Sequence, residues 1–456
     1  MSSRASRMAR NALVSLAVAT LTACATYQPE PLAGSDTDAV LAAPDIGALQ
    51  RDAREIDRPD LQPVSLDLAK PLGSDAIGVI AVLKNPDLAA MRARTGVRAA
   101  QVFAAGLLPD PTFSAGVDRV LSGPDTLDGL AGSIGLDLNA LRTRHVIRAR
   151  ATADARQVRL DLAWAEWQVS GQARLQAARV VALERQKALL ARSSAWSQAL
   201  LERTLRAAGR GDYSADQAAA ARIAAFDSAD RARTAAAELA TARFELTRLL
   251  GLPPDYPLAL APPILTADAP SAERLFARAR DSRTDLAALR AGYDAQEAAV
   301  RKAVLDQFPN LSLLVNGSRD TANNVLLGPT INLTLPLWNR NRGGIAIERA
   351  TREALQAEYG ARVFQTRAEI AAAVAQLEIA RTQRRAIEAN LPAVIHRANV
   401  SRGAAARGDL ALAMAETAAQ TLRDQQYLLA KSEQTIAEQT IALELLTGTL
   451  RETWNE

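Results

Sequence analysis

Few residues in this chain of 456 could do covalent or metal chemistry, and they lie far apart. It has one cysteine, Cys24, and two histidines, His145 and His396. That set cannot build a zinc cluster, a disulfide framework or a His-ligated metal centre within one chain, so the sequence implies no metal and no cofactor. Both histidines fall in long helical patterns, where an isolated imidazole is more often a packing or solvated residue than a ligand. Gly-x-Ser-x-Gly, a Walker loop and His-Glu-x-x-His are all absent, and no catalytic constellation takes their place. An enzyme is not expected. The remaining polar signal is a set of acids, Asp212, Asp216, Asp409 and Glu416, just after two Arg-Gly-Asp elements at 210–212 and 407–409. Asp409 and Glu416 are seven residues apart, hence near one face of a helix. Two readings of these acids stand side by side. Asp after Gly is a common helix N-cap, and acids complement the start of a helix dipole. Alternatively, acids from several chains line a constriction and attract cations.

The elements that must position these residues follow from composition and period. Hydrophobic residues make up 48% of the chain but aromatics only 4%, with the apolar share mostly alanine and leucine, which favours long helices. Asp87 to Ser114 aligns without a gap onto Asp285 to Ser312, with Asp87/Asp285, Leu88/Leu286, Arg92/Arg290, Leu107/Leu305 and Pro111/Pro309 identical. The register returns at the two Arg-Gly-Asp elements and at Leu249/Leu446 and Gly251/Gly448. The chain therefore reads as a duplication, with repeats at 74–250 and 272–450 and a short tail at 451–456. A linker at 251–271 separates them, its prolines at 253, 254, 257, 262, 263 and 270 incompatible with a helix interior. The segment 24–73 is expected to run extended, without a fold of its own.

Each repeat changes period twice. Asp75 to Leu108 and Ala272 to Phe308 read as helices ended by proline. Alternation then predicts strands at Phe113 to Val120, Ser133 to Asn139, Leu311 to Ser318 and Thr330 to Leu337. The helical period resumes from about Arg144 to Ala208 and from about Ile345 to Ala405, rods of roughly 90 to 100 Å that no compact domain requires. Each rod turns at its Arg-Gly-Asp and returns as a second helix. Four strands cannot close around water, and an open edge is not tolerated in lipid, so strands that enter a membrane must be pooled from several chains. No later stretch offers about 20 continuous apolar residues for a spanning helix.

The amino terminus reads as an address. Residues 1–23 form a signal peptide pattern, with Arg4, Arg7 and Arg10 before the apolar run Ala12 to Leu21. Leu21-Thr22-Ala23-Cys24 resembles a bacterial lipobox, in which Cys24 becomes the acylated mature terminus. Those three arginines, with no acid among them, account for most of the net charge of +4. The near-neutral remainder gives no reason to expect nucleic acid as a partner.

A lipobox, a Pro-rich linker and two copies of helix, strand hairpin, long helix, Gly turn and return helix resemble the TolC-like outer membrane efflux proteins over about residues 75 to 450. Asn85-Pro86-Asp87-Leu88, Leu391-Pro392 and the closing Gly448 also look like that family. Leu335-Pro336-Leu337-Trp338-Asn339-Arg340-Asn341-Arg342-Gly343-Gly344 is similar to the strand-to-helix junction of its heavy-metal cation efflux branch, from which the first copy, Leu138-Asn139-Ala140-Leu141-Arg142, departs. The resemblance implies a mainly α fold with a small β part. Three chains would give four strands each to a 12-stranded outer-membrane barrel, continued by a periplasmic helical barrel. It implies a lipid-anchored passive exit duct of a tripartite efflux or secretion system. Drugs, metal cations or other small solutes would arrive from an inner-membrane pump through a periplasmic adaptor. It places an acidic gate near Asp212, Asp216, Asp409 and Glu416, although Ala413 stands where a second acid is often found. Adaptor contact would fall at Arg210, Gly211, Arg407 and Gly408. The competing expectation is a structural coiled-coil lipoprotein with no pore.

Intact mass should show cleavage before Cys24 and acyl chains on it. A retained signal or an unmodified cysteine would remove the anchor.

Overall fold

The computed structural model describes all residues except 1–26, 35–37, 39–40, 59–60, 126, 266–269 and 455–456. Cys24 and the signal pattern lie outside the described residues. The chain divides into two units, Met1–Ala43 and Pro44–Glu456. In the first, Tyr27, Leu32 and Leu41 are exposed.

The second unit runs α1 (Ile46–Arg54), α2 (Ser74–Lys84), α3 (Pro86–Gly106), β1 (Thr112–Asp118), β2 (Gly129–Asp137), α4 (Leu138–Gly209) and α5 (Ala215–Leu249). The same order then recurs as α6 (Ala272–Ser282), α7 (Thr284–Leu305), β3 (Leu311–Arg319), β4 (Val325–Leu333), α8 (Arg342–Arg407) and α9 (Leu412–Thr447). At 72 and 66 residues, α4 and α8 are about 108 and 99 Å long. The strand-to-helix passage into α4 needs no loop. Asp137, the last residue of β2, accepts hydrogen bonds from the Asn139 and Ala140 amides at 2.8 and 3.0 Å and so caps the helix.

Several sequence expectations are corrected. The helices expected at 75–108 and 272–308 are each two helices, broken at Asn85 and Arg283, because both residues take an extended backbone to serve other partners. Asn85 Oδ1 accepts from the Asp87 and Leu88 amides while its Nδ2 donates to the Leu249 carbonyl at 3.0 Å. Arg283 Nη1 likewise donates to the Leu446 carbonyl at 3.1 Å, and Ser282 Oγ to Thr447 at 2.6 Å. Each break thus satisfies carbonyls in the last turn of a return helix, which would otherwise be orphaned. The approach is close: a Cβ on Gly251, whose φ is +60°, would sit 2.2 Å from the Lys84 carbonyl oxygen.

The segment before residue 73 is also more ordered than expected. Asp45 caps α1, and Leu49, Ala53, Ile56, Leu66 and Leu72 join the main core. Leu72 pairs with Leu260 of the linker, its amide donating to Ala259 at 2.8 Å. Apolar residues at irregular spacing among Pro and Asp hide such an anchor from a periodicity reading. The strands shift too: β2 begins at Gly129 rather than Ser133, and β4 spans Val325–Leu333 rather than ending at Leu337. Val325-Leu326-Leu327 lacks alternation, while Pro336 has no amide to continue a ladder and lies in a turn closed by Leu337 N to Leu335 O.

The two larger cores among the described residues are built in part from the long helices. One joins Ile77, Ile80 and Val82 of α2 to Leu183 of α4 and Leu246 of α5, and the other joins Leu275 of α6 to Ile370 and Leu377 of α8 and Ile436 and Leu443 of α9. Charge is buried where the halves meet. Arg174 of α4 and Glu444 of α9 pair at 2.5 Å, both nearly inaccessible, and Arg174 Nε also donates to Ser74 Oγ. Arg283 stacks on Trp164 of α4 and pairs with Asp285, which Arg362 of α8 also reaches. Burial opposes ionisation of Asp285, but the two arginines hold its carboxyl below the usual range.

Burial pushes the Glu444 carboxyl above its ordinary value, and Arg174 opposes the shift. A raised value means that the folded chain holds the proton more tightly, so this group's contribution to stability falls as pH rises through that range. Arg174→Met should therefore cost about 3 to 5 kcal/mol near neutrality, less at pH 5 than at pH 8, because protonation relieves the lone buried carboxylate. Helical circular-dichroism melts at both pH values check this, and an equal penalty at the two would contradict it.

Candidate functional site

The four strands form one antiparallel sheet in the order β1-β2-β3-β4. Register sets its two faces. Phe113 lies opposite Ile134, Ile134 opposite Val315, and Leu136 opposite Leu313, which in turn faces Ile331. Directly paired residues share a face, so these side chains form one apolar surface across all four strands. The other face carries Ser114, Ser133, Asn316, Thr330 and Asn332. There Ser114 and Ser133 hydroxyls meet at 2.7 Å, and Asn316 Nδ2 donates to Thr330 Oγ1 at 2.6 Å. Among the described residues nothing covers the apolar face: Phe113 is 75% exposed, Ile134 60% and Leu327 81%. Neither β1 nor β4 has a second neighbour among the described residues. An exposed apolar patch of this continuity marks a surface that meets lipid or protein.

The helices show the same incompleteness. Among the long elements α4 packs on α5 and α9, and α9 packs on α8, leaving α5 and α8 outermost. These two expose Ile223, Phe226 and Phe244 on α5, and Ile347, Phe364 and Ile379 on α8. A further asymmetry concerns α3 and α7, which hold the same place in the element order. Packed between α4 and α8, α7 buries Leu286, Ala288, Ala291, Ala295 and Ala299. By contrast α3 buries only Leu88 and leaves Val97 and Phe103 in the open.

The hairpin tips are alike. Asp212 N donates to Ala207 O and Asp409 N to Ala404 O, both at 2.9 Å, while Gly211 and Gly408 each have φ +83°. This is the Schellman closure, in which glycine accepts the left-handed conformation without a Cβ penalty. The expected N-cap role of Asp212 and Asp409 does not hold. Their carboxylates pair with Arg210 and Arg407 of their own turns, at 3.0 and 2.9 Å. The α5 cap is Ser214, in a capping box with Gln217, and α9 begins at Ala411 without a side-chain cap. Asp216 is exposed in the first turn of α5.

Glu416 is half-buried on α9, its Oε2 shielded and without a hydrogen bond in the single chain. One i,i+7 step further along the helix is Arg423, whose guanidinium stacks on Trp196 of α4 at 5.3 Å. Burial pushes Arg423 down from its ordinary value; Glu416 and Asp424 oppose that shift and Arg402 adds to it. Sequence reading missed Trp196 and Arg423, although the seven-residue spacing from Glu416 was there to be used. His145 and His396 are both exposed, and His145 lines an open groove with Arg144, Arg148, Arg156 and Asp294.

Residues 275–449 match the outer membrane efflux protein family. No curated protein matches the chain. Among solved structures, the outer membrane protein VceC of Vibrio cholerae is similar at 17% identity, with a TM-score of 0.67 over 83% of this chain and 96% of that one. The Campylobacter jejuni CmeC outer membrane channel is similar at 14% identity, with a TM-score of 0.70 over 83% of this chain and 86% of its own. The Neisseria gonorrhoeae MtrE outer membrane channel, in its open state, gives 16%, 0.63, 87% and 96% on the same measures. Residues 275–449 therefore carry the outer membrane efflux protein pattern, and the fold of the chain is that of these solved outer-membrane proteins.

Proposed function

We propose that this protein is a passive exit duct in the bacterial outer membrane, built from three copies of the duplicated chain. It passes small solutes delivered by an inner-membrane pump and a periplasmic adaptor. The observation that carries this reading is the uncovered apolar face of a sheet with two unpaired edges. In lipid such edges are stable only when closed, and pairing β4 of one copy with β1 of the next closes them. Two copies would give eight strands, whose interior is filled by side chains. Three give twelve, leaving a polar lumen lined by the face that carries Ser114, Ser133, Asn316 and Thr330. The same operation seats α8 of one copy against α3 and α5 of the next, as α8 already seats against α7 within a chain. That contact covers Val97 and Phe103.

The tips are the periplasmic entrance. Asp212, Asp216, Asp409 and Glu416, each repeated three times, give it a negative potential. Arg210, Gly211, Arg407 and Gly408 present the turns to the adaptor, and acylated Cys24 adds a lipid anchor to the barrel's own hold.

Placing Arg at Ile331 should impair insertion more than placing it at the neighbouring Asn332. A charge facing lipid near the midplane costs about 2 to 4 kcal/mol, whereas a lumen face stays wet. Urea-dependent folding into phosphatidylcholine vesicles measures both, and equal penalties would contradict the facing. Glu416→Gln should lower cation selectivity with trimers intact, since a half-exposed acid adds little to stability. Unchanged reversal potentials in salt gradients would remove Glu416 from the gate and leave the duct in place.

A further inference from the structure

Charge is distributed unequally between the two ends of the sheet. The loop at 119–128, between β1 and β2, has Asp125 and Asp128 against Arg119, and the loop after β3 has Asp320. At the opposite end, where the strands join helices, stand Arg142, Arg144, Arg148, Arg340 and Arg342. Of the acids at that end, Asp137 caps α4 and Asp306 pairs with Lys302 at 2.6 Å, which leaves Asp110 as an exposed carboxylate against five arginines. Arg142 and Arg144 are also occupied, donating to the Leu305 and Gly106 carbonyls. Arg148, Arg340 and Arg342 are exposed, and no carboxylate pairs with them among the described residues.

Apolar anchors accompany these arginines. Between the end of β4 and Arg340 lie Leu335, Leu337 and Trp338, the last 86% exposed, and Phe308 and Leu108 are exposed at the turns before β3 and β1. Two contacts gather the junctions around the end of α7. Arg142 reaches Leu305 O and stacks over Phe308, while Asn341 Nδ2 donates to Ala303 O at 2.8 Å. Side chains on a helix lean toward its N-terminus, so Arg148 on α4 and Arg342 at the start of α8 lean back toward the sheet. Arg148 lies about 15 Å along α4 from its first residue, at the margin of a headgroup layer for a side chain of that length.

We infer that the strand-to-helix junctions form an arginine collar, with Arg148, Arg340 and Arg342 binding the phosphodiesters of anionic phospholipids in the leaflet on the helical side. This rests on the reading that the apolar sheet face meets lipid. Exposed leucine and tryptophan would then sit at the acyl boundary while unpaired guanidinium groups meet phosphate, an arrangement with both apolar and charge complementarity.

The test uses the full-length protein in phosphatidylcholine nanodiscs with and without phosphatidylglycerol, native mass spectrometry counting the lipid that stays bound after release into detergent. Wild type should retain phosphatidylglycerol over phosphatidylcholine by a factor on the order of ten, less at high salt. The triple variant Arg148→Gln, Arg340→Gln, Arg342→Gln should lose that preference while still entering phosphatidylcholine discs. A control triple distant along the helices, Arg192→Gln, Arg203→Gln, Arg222→Gln, should keep it. No preference in wild type, or one that survives the collar variant or falls equally in the control, overturns the collar. Failure of wild type to enter any disc would instead overturn the lipid-facing sheet.

Discussion

The fold depends on one unmet requirement: a twisted antiparallel sheet that is apolar on one face, polar on the other and unpaired at both edges. Water does not favour the face that bears Phe113, Ile134 and Leu327, and lipid does not tolerate the free backbone groups of β1 and β4. Closure through further copies would meet both demands at once. Among the described residues the other elements are helices, and none of them covers that face.

The long helices continue from the sheet and are tied to one another along their length. With Asp137 as both strand end and helix cap, β2 continues into α4 without slack. Midway, the breaks at Asn85 and Arg283 pin the short helices to the ends of the return helices, while the Arg174–Glu444 pair and the stacking of Arg283 on Trp164 join the halves. Buried ion pairs of this kind add little net stability but make separation of one partner costly, which fixes one arrangement of the halves. The tips, by contrast, are held by exposed Arg–Asp pairs and a glycine turn, so they resist movement far less.

What was legible in the sequence was periodic. Long helices and alternating strands declare themselves through side-chain spacing, and prolines mark where they stop. Irregular features were hidden. The anchor from Leu49 to Leu72 has no period, and Asn85 and Arg283 break helices for contacts more than 160 residues away. At the tips the sequence offered two readings of Asp212 and Asp409. The cap reading failed because Ser214 takes that position in one hairpin and Arg210 and Arg407 stand nearer to the carboxylates. For Glu416 the helix face follows from spacing, but the company of Arg423 and Trp196 does not, because it depends on how α9 meets α4.

In the proposed duct, copies of this chain enclose a water-filled pore. Recording current through the purified protein in a planar lipid bilayer tests it most directly. Discrete steps of one unit conductance are expected, carried by an assembly of three chains. A protein that binds the bilayer as a trimer but passes no unit current would contradict it.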